Sequence, residues 1–192
     1  MNHIFLDIET VPLEIKNEDV KAYFMDNKIT KENRAFNPNY SKIINICVKK
    51  LDGDFEIFCG DNEEEILGKF VNFFEKNKDA VFITYNGYGF DIPFLNVRLA
   101  LNKFNLPVSI NTNKWSMDRS NHFDVMVFLS QGIFTNTRLD IVARMHGVDF
   151  SGERTLGKDV EKHYKLGDWD FIKNHCKQDV DILEGLFKRI FI

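Results

Sequence analysis

Strict alternation opens the chain. From Ile4 to Glu9 the sequence predicts a strand with Ile4, Leu6 and Ile8 on one face and Phe5, Asp7 and Glu9 on the other. Polar, irregular sequence follows over residues 10–41, with a short helix expected around Glu18–Met25. Ile43–Lys50 and Phe55–Cys59 read as two further strands, and Asp52-Gly53 between them is a hairpin signal. The period then changes. Ile66, Leu67, Phe70, Val71 and Phe74 recur at helical spacing and predict an amphipathic helix over Glu63–Lys76. Ala80–Tyr85 is a short apolar run rich in strand formers, hence a buried strand. A glycine-containing turn follows, and a helix starts near Asp91, with Pro93 in its first turn where a missing N–H costs nothing.

Beyond residue 104 the pattern loosens. Asn105–Asn121 reads as a polar loop containing Trp115, and Asp124–Leu129 fits helix and strand equally well. Thr137–His146 is expected to be a helix, with Thr137 as N-cap and Gly147 as its stop. A long final helix spans Trp169–Ile190, with Ile172, Cys176, Val180, Leu183, Phe187 and Ile190 along one stripe. Three strands, a helix, a strand and then helices predict a single α/β domain with a mixed sheet flanked by helices.

Composition narrows the class. At 192 residues with 44% hydrophobic content, the chain can bury a core of one domain's size. Nineteen Phe, five Tyr and two Trp exclude a natively disordered chain, and 11 Gly with 4 Pro exclude a collagenous or linker type. No apolar stretch is long enough to span a membrane, and the charge at Asp7 does not suit a secretory signal. Cys47, Cys59 and Cys176 are odd in number and lack a CxxC pattern, so neither a disulfide framework nor a zinc site is expected; a reducing cytoplasm is the expected location. Net charge is −4, which taken alone argues weakly against a nucleic-acid partner.

Three features carry candidate chemistry. Asp7 and Glu9 share a strand face a few ångström apart, where they repel unless a cation sits between them. An isolated D-x-E is more often a plain strand end. Tyr85-Asn86-Gly87-Tyr88-Gly89-Phe90-Asp91 runs from a buried strand through a turn to an acid at a helix start. Asp91 there reads as an ordinary N-cap or as a site residue; the glycines and aromatics around it favour close approach of a ligand. His175 and Asp179 lie four apart on the last helix, at the edge of its apolar stripe, and would otherwise be a surface pair contributing a few tenths of a kcal/mol, roughly.

In combination and in this order, the features are far more specific. Phe5-Leu6-Asp7-Ile8-Glu9-Thr10-Val11-Pro12, then Tyr85 to Leu95, then His122-Phe123-Asp124-Val125, then Asn174 to Leu183 resemble the motifs of the DnaQ-like, or DEDD, superfamily of 3′–5′ exonucleases. Within it the chain looks most like stand-alone relatives of the family B DNA polymerase proofreading domain. The resemblance runs from residue 4 to residue 184 and leaves no length for a polymerase domain. It implies an RNase H-like fold. It also implies that Asp7, Glu9, Asp91 and Asp179 bind two divalent cations, Mg²⁺ or Mn²⁺, which suits a set of oxygen ligands. The implied activity is metal-dependent hydrolysis at the 3′ end of single-stranded DNA, releasing nucleoside monophosphates. RNA ends are the close alternative, and a polymerase is a conceivable protein partner.

One departure concerns His175. The polymerase-like branch has Tyr four residues before the last Asp, and the other main branch has His five before it. An imidazole, with an ordinary pKa of about 6.5, accepts a proton at neutral pH better than a phenol. His175 is therefore expected to orient or deprotonate the attacking water. His163 or Tyr164 with Asp168 offers a competing third motif, but Gly167 argues for a loop there, and Asp179 is preferred. Thr10, Asn86, Phe90 and Asp124 are expected near the substrate; for Asp124, helix capping is the alternative, and for Phe90, packing. Trp115 and Tyr88 could stack bases, though packing is favoured for both. Removing the four proposed ligands from the 29 acids leaves 25, equal to the 25 bases, so the net acidity is no larger than the site itself. Other classes fit less well. A fold-only binding module has no use for repelling carboxylates, and a receiver-type phosphoacceptor lacks this turn and terminal helix.

Overall fold

A computed structural model describes residues 2–106, 109–113, 120–131, 137–150 and 157–192. Five strands form one sheet: β1 (His3–Pro12), β2 (Ser41–Lys50), β3 (Phe55–Cys59), β4 (Val81–Thr84) and β5 (His122–Asp124), in the spatial order β3-β2-β1-β4-β5. β1, β2 and β3 pair antiparallel as a meander, while β4 and β5 run parallel to β1. Eight helices flank it among the described residues: α1 (Glu18–Asp26), α2 (Lys31–Ala35), α3 (Glu63–Lys76), α4 (Asp91–Leu101), α5 (Val125–Ser130), α6 (Leu139–Met145), α7 (Val160–Lys165) and α8 (Trp169–Phe191). The mixed sheet with helices on both faces is the RNase H-like α/β arrangement.

The alternation of β1 explains the layering. Ile4, Leu6 and Ile8 pack with Ile46 and with Phe70, Phe74, Phe94 and Leu95 of α3 and α4. Phe5, Cys47 and Ile83 pack instead against Cys176, Val180, Leu183 and Phe187 of α8. Asp7 and Glu9 therefore lie on the α8 side. The register of β1 on β2 slips between Glu9 and Thr10, where Glu9 pairs with Asn45 and Thr10 with Ile43. That bulge lets Ile44 join Val11, Val160 and Ile172 in a third apolar cluster beneath α7 and α8.

Several boundaries differ from expectation, each for a local reason. β1 extends to Pro12, because Thr10, Val11 and Pro12 find partners in Ser41–Ile43 beyond the bulge. α2 falls in the stretch expected to be irregular; the Thr30 hydroxyl accepts the Asn33 N–H at 3.2 Å and caps it. The 124–129 ambiguity resolves into a strand ending at Asp124 and a helix beginning at Val125. Thr137 does not cap α6. Its carbonyl is held by the Tyr85 hydroxyl at 2.7 Å, and the helix starts at Leu139 after Arg138, whose guanidinium pairs with Asp140 at 2.8 Å. Gly147 does follow the end of α6, at φ +74°. Trp115 lies outside the described residues.

Candidate metal centre

Four acids arrive from three parts of the fold. Asp7 and Glu9 sit two apart on β1. Asp91 is the first residue of α4; Phe90 occupies the cap position and offers no capping side chain. Freed from capping, Asp91 turns back to the sheet, and its Oδ1 accepts the Ile8 N–H at 3.2 Å. Asp179 lies eleven residues into α8 beyond its cap Asp168, about three turns along.

Burial and mutual repulsion dominate their electrostatics. Glu9 and Asp91 are 8% and 3% exposed. Burial, then the charges of Asp91, Glu9 and Asp179, hold the Asp7 carboxyl well above its ordinary range. Glu9 is raised in the same way by burial and then by Asp179 and Asp91. Asp91 is pushed up to about 7, by burial first and then by Asp124 and Asp179, against the lowering pull of its own N–H and that of Ile8. Asp7, Glu9 and Asp91 thus each feel the charge of Asp179, and Asp7 and Glu9 also that of Asp91. Such a set is costly in a protein unless protons or cations neutralise it.

The turn that delivers Asp91 is built tightly. Asn86 adopts φ +66°, and a Cβ on Gly87 would stand 2.1 Å from the Thr84 hydroxyl oxygen, so only glycine fits there. Asp124 fastens the turn from below. Its carboxylate accepts the N–H groups of Asn86 at 3.0 Å, Tyr88 at 2.9 Å, Met126 at 3.0 Å and Val127 at 3.2 Å.

Residues 35–184 match a family described as predicted 3′–5′ exonucleases related to the exonuclease domain of PolB. The chain belongs to that family. It is 24% identical over 157 residues to a DNA polymerase of Archaeoglobus fulgidus, a match covering 74% of this chain and 19% of that one. It also superimposes on the family B DNA polymerase of the hyperthermophilic archaeon Pyrobaculum calidifontis with a TM-score of 0.72 at 19% identity, over 98% of this chain and 24% of the polymerase. The chain therefore spans about a fifth to a quarter of the polymerases it resembles.

Other expected residues fall in varied places around the acidic cluster. His175 is 3% exposed, and its Nε2 lies 3.4 Å from Glu9 Oε1. Asp168 belongs to another feature altogether: it caps α8 by accepting the Phe171 N–H at 3.1 Å and pairs with His163 at 2.8 Å. Asn86 is half-buried, with its side-chain oxygen over Gly89. Phe90 is half-buried against the core, its ring 5.8 Å from Phe36 and 5.4 Å from Phe94. Asp124 is fully buried and takes the capping role offered as its alternative: it caps α5, and its carboxylate also holds the Asn86 and Tyr88 N–H groups of the turn. The Thr10 hydroxyl donates to the Ala35 carbonyl at 2.8 Å and so ties α2 to β1. Tyr88 packs, its ring 4.2 Å from that of His122 and its hydroxyl on the His122 carbonyl.

Two neighbours of the acids escaped the sequence reasoning. Cys176 lies beneath Asp7, its thiol 3.1 Å from Oδ2, and the ligand atoms of Asp7, Glu9 and Cys176 all fall within 4.8 Å of one another. Asn45, the cross-strand partner of Glu9, is completely buried, and neither its amide nitrogen nor its oxygen has a hydrogen-bond partner. A lone amide in the apolar run Ile43–Val48 was the available signal. The donor set of carboxylates, the protonation they would otherwise need and the orphaned amide beside Glu9 all fit a bound hard cation.

Proposed function

We propose that the chain removes nucleoside monophosphates from the 3′ end of single-stranded DNA, with Asp7, Glu9, Asp91 and Asp179 holding two divalent cations, Mg²⁺ or Mn²⁺. One observation supports this reading: at a partly buried site, the charge of Asp179 of α8 acts on Asp7 and Glu9 of β1 and on Asp91 of α4. When bound, such cations would supply Lewis-acid activation of water and charge neutralisation at the leaving oxygen of an in-line displacement. The protein's own contribution is positional. Ile8 donates its N–H to Asp91 and fixes that carboxylate against the strand that carries Asp7 and Glu9. His175 faces Glu9 and is the group proposed to orient the attacking water or to take its proton. Wild-type activity of His175→Ala at pH 7.5 would remove that role. Asn86, at the strained turn before Asp91, is the proposed contact for a phosphate or sugar of the terminal nucleotide, and Phe90 is proposed to flank it.

The test uses 5′-labelled single-stranded DNA and RNA with Mn²⁺, Mg²⁺ or EDTA. The expected result is a DNA ladder that shortens from the 3′ end only with metal. Faster degradation of the RNA would make the enzyme an exoribonuclease, and internal cuts would make it an endonuclease. A polymerase acting on the same ends is the protein partner that the family likeness favours. No described helix is long and apolar enough to cross a membrane.

A further inference from the structure

Beside the acidic centre, the structure holds a cavity of about 660 Å³ between the segment that follows β1, helices α1 and α2, and α7. This is the usual size range for a small-molecule site. Phe24, Leu13 and Ile29 supply apolar wall; of the five cationic side chains that line the cavity, Lys21 pairs with Glu18 and Lys165 with Glu161, which leaves Lys28, Lys31 and Arg34 against Glu14. In a chain of net charge −4, that is a local reversal of sign.

Arg34 is its most informative residue. It is 9% exposed, its guanidinium carbon lies 5.2 Å from the Phe24 ring centroid, and its buried Nε has no hydrogen-bond partner. Among the described residues it pairs with no carboxylate. A permanently charged group withdrawn from water and left without an anion is costly, and it points to an anion that arrives from outside. Lys31, exposed one turn earlier, adds a second charge at the rim. The Thr10 hydroxyl, bonded to the carbonyl of Ala35, anchors this wall one residue beyond Glu9. Pro12, which also lines the cavity, lies three strand residues from Glu9, roughly 10 Å.

We infer that this cavity is a second nucleotide site, its apolar wall taking a base and Arg34 with Lys31 taking the phosphate. The nucleotide class rests on the exonuclease reading; the anionic, partly apolar character of the ligand rests on the cavity alone. The nucleotide comes either from the substrate strand or from free nucleoside monophosphate.

Calorimetric titration in EDTA, which stops hydrolysis, separates these. The probes are dTMP and a four-residue oligothymidylate, against wild type, Arg34→Met and the double variant Lys28→Glu/Lys31→Glu. Lys28 and Lys31 are both exposed, so the double variant tests the site should Arg34→Met fail to fold. Each variant is expected to bind about tenfold more weakly, because a charge-assisted phosphate contact is lost. Saturable binding of dTMP identifies a free-nucleotide site, and binding of the oligomer alone identifies a strand site. Unchanged affinity in the double variant, or no binding by wild type, overturns the inference. Failure of the exonuclease reading would show instead as wild type inert toward DNA with metal, a result independent of binding in EDTA.

Discussion

Asp91 Oδ1 accepts the backbone N–H of Ile8, the residue between Asp7 and Glu9. A single hydrogen bond across 83 positions thus ties the start of α4 to the acidic strand. Asn at position 91 would keep an acceptor for that N–H while removing the charge. Asp91→Asn is therefore expected to fold, to be more heat-stable than wild type in EDTA, and to lose activity by more than about 100-fold, since even outer partners of metal ligands cost 10–100-fold. Asp91→Ala also loses the bond and should be about 1 kcal/mol less stable than Asp91→Asn. Denaturation in EDTA and rates with Mn²⁺ check both. An Asp91→Asn enzyme as fast as wild type would show that this carboxylate holds no cation.

Stability without metal should fall as pH rises. Asp7, Glu9 and Asp91 all have folded-state values above their unfolded ones, so the folded protein binds more protons across the interval between them. Their contribution is present below the unfolded value of about 4 and is lost as pH rises through the folded value. For Asp91 that window closes near about 7. Melting temperatures in EDTA are expected to drop from pH 5 to pH 8. Mn²⁺ should raise them more at pH 8 than at pH 5, where protons compete for the same oxygens. A metal-free melting temperature that climbs over this range would contradict the clustering.

The acids were legible in the sequence because two periodicities announce them. Period two places Asp7 with Glu9, and helical spacing places Asp179 beside the apolar stripe of α8. Asp91 was visible as an acid at a helix start, but that Phe90 takes the cap position and Asp91 instead accepts the Ile8 N–H depends on contacts across the fold. The capping role of Asp124 was legible, but its hold on the turn was not, because two of its four donors, Asn86 and Tyr88, lie more than 30 residues away. The bulge at Glu9/Thr10, the orphaned Asn45 and the thiol beneath Asp7 depend on strand register and helix docking, which local pattern does not encode. Thr137 had the chemistry of a cap, but a distant tyrosine hydroxyl holds its carbonyl instead.

The two glycines of the turn should behave differently. A Cβ on Gly87 meets Thr84 Oγ1 at 2.1 Å and Thr84 Cβ at 2.5 Å, and the latter is bonded directly to the main chain and cannot rotate away. Gly87→Ala is expected to cost about 1–3 kcal/mol, as overpacking does, and to lower activity by displacing Asp91. On Gly89 the nearest atom is Asn86 Oδ1 at 2.6 Å, the end of a side chain that can turn aside. Gly89→Ala should therefore be the milder change in urea denaturation. Equal losses would mean that the Thr84 contact does not define the turn.

The final helix and its cap carry two acids that could have closed the quartet, and their surroundings assign them different work. Asp168 precedes α8, accepts the Phe171 N–H and pairs with His163. Asparagine caps a helix about as well as aspartate, so Asp168→Asn should fold normally, lose less than about 1 kcal/mol, and degrade DNA near the wild-type rate. Asp179 faces the opposite demand. Its charge raises Asp7, Glu9 and Asp91 together, so Asp179→Asn should relieve repulsion and stabilise the metal-free protein. With metal present the same change removes a proposed ligand, and activity should fall by more than about 100-fold by the same reasoning as for Asp91. Both variants assayed side by side, with melting curves in EDTA and in Mn²⁺, give a crossed pattern: Asp179→Asn gains stability without metal and loses the stabilisation that metal confers, while Asp168→Asn tracks wild type in both. Reversal of that pattern would move the third acidic segment to Asp168 and detach α8 from the chemistry.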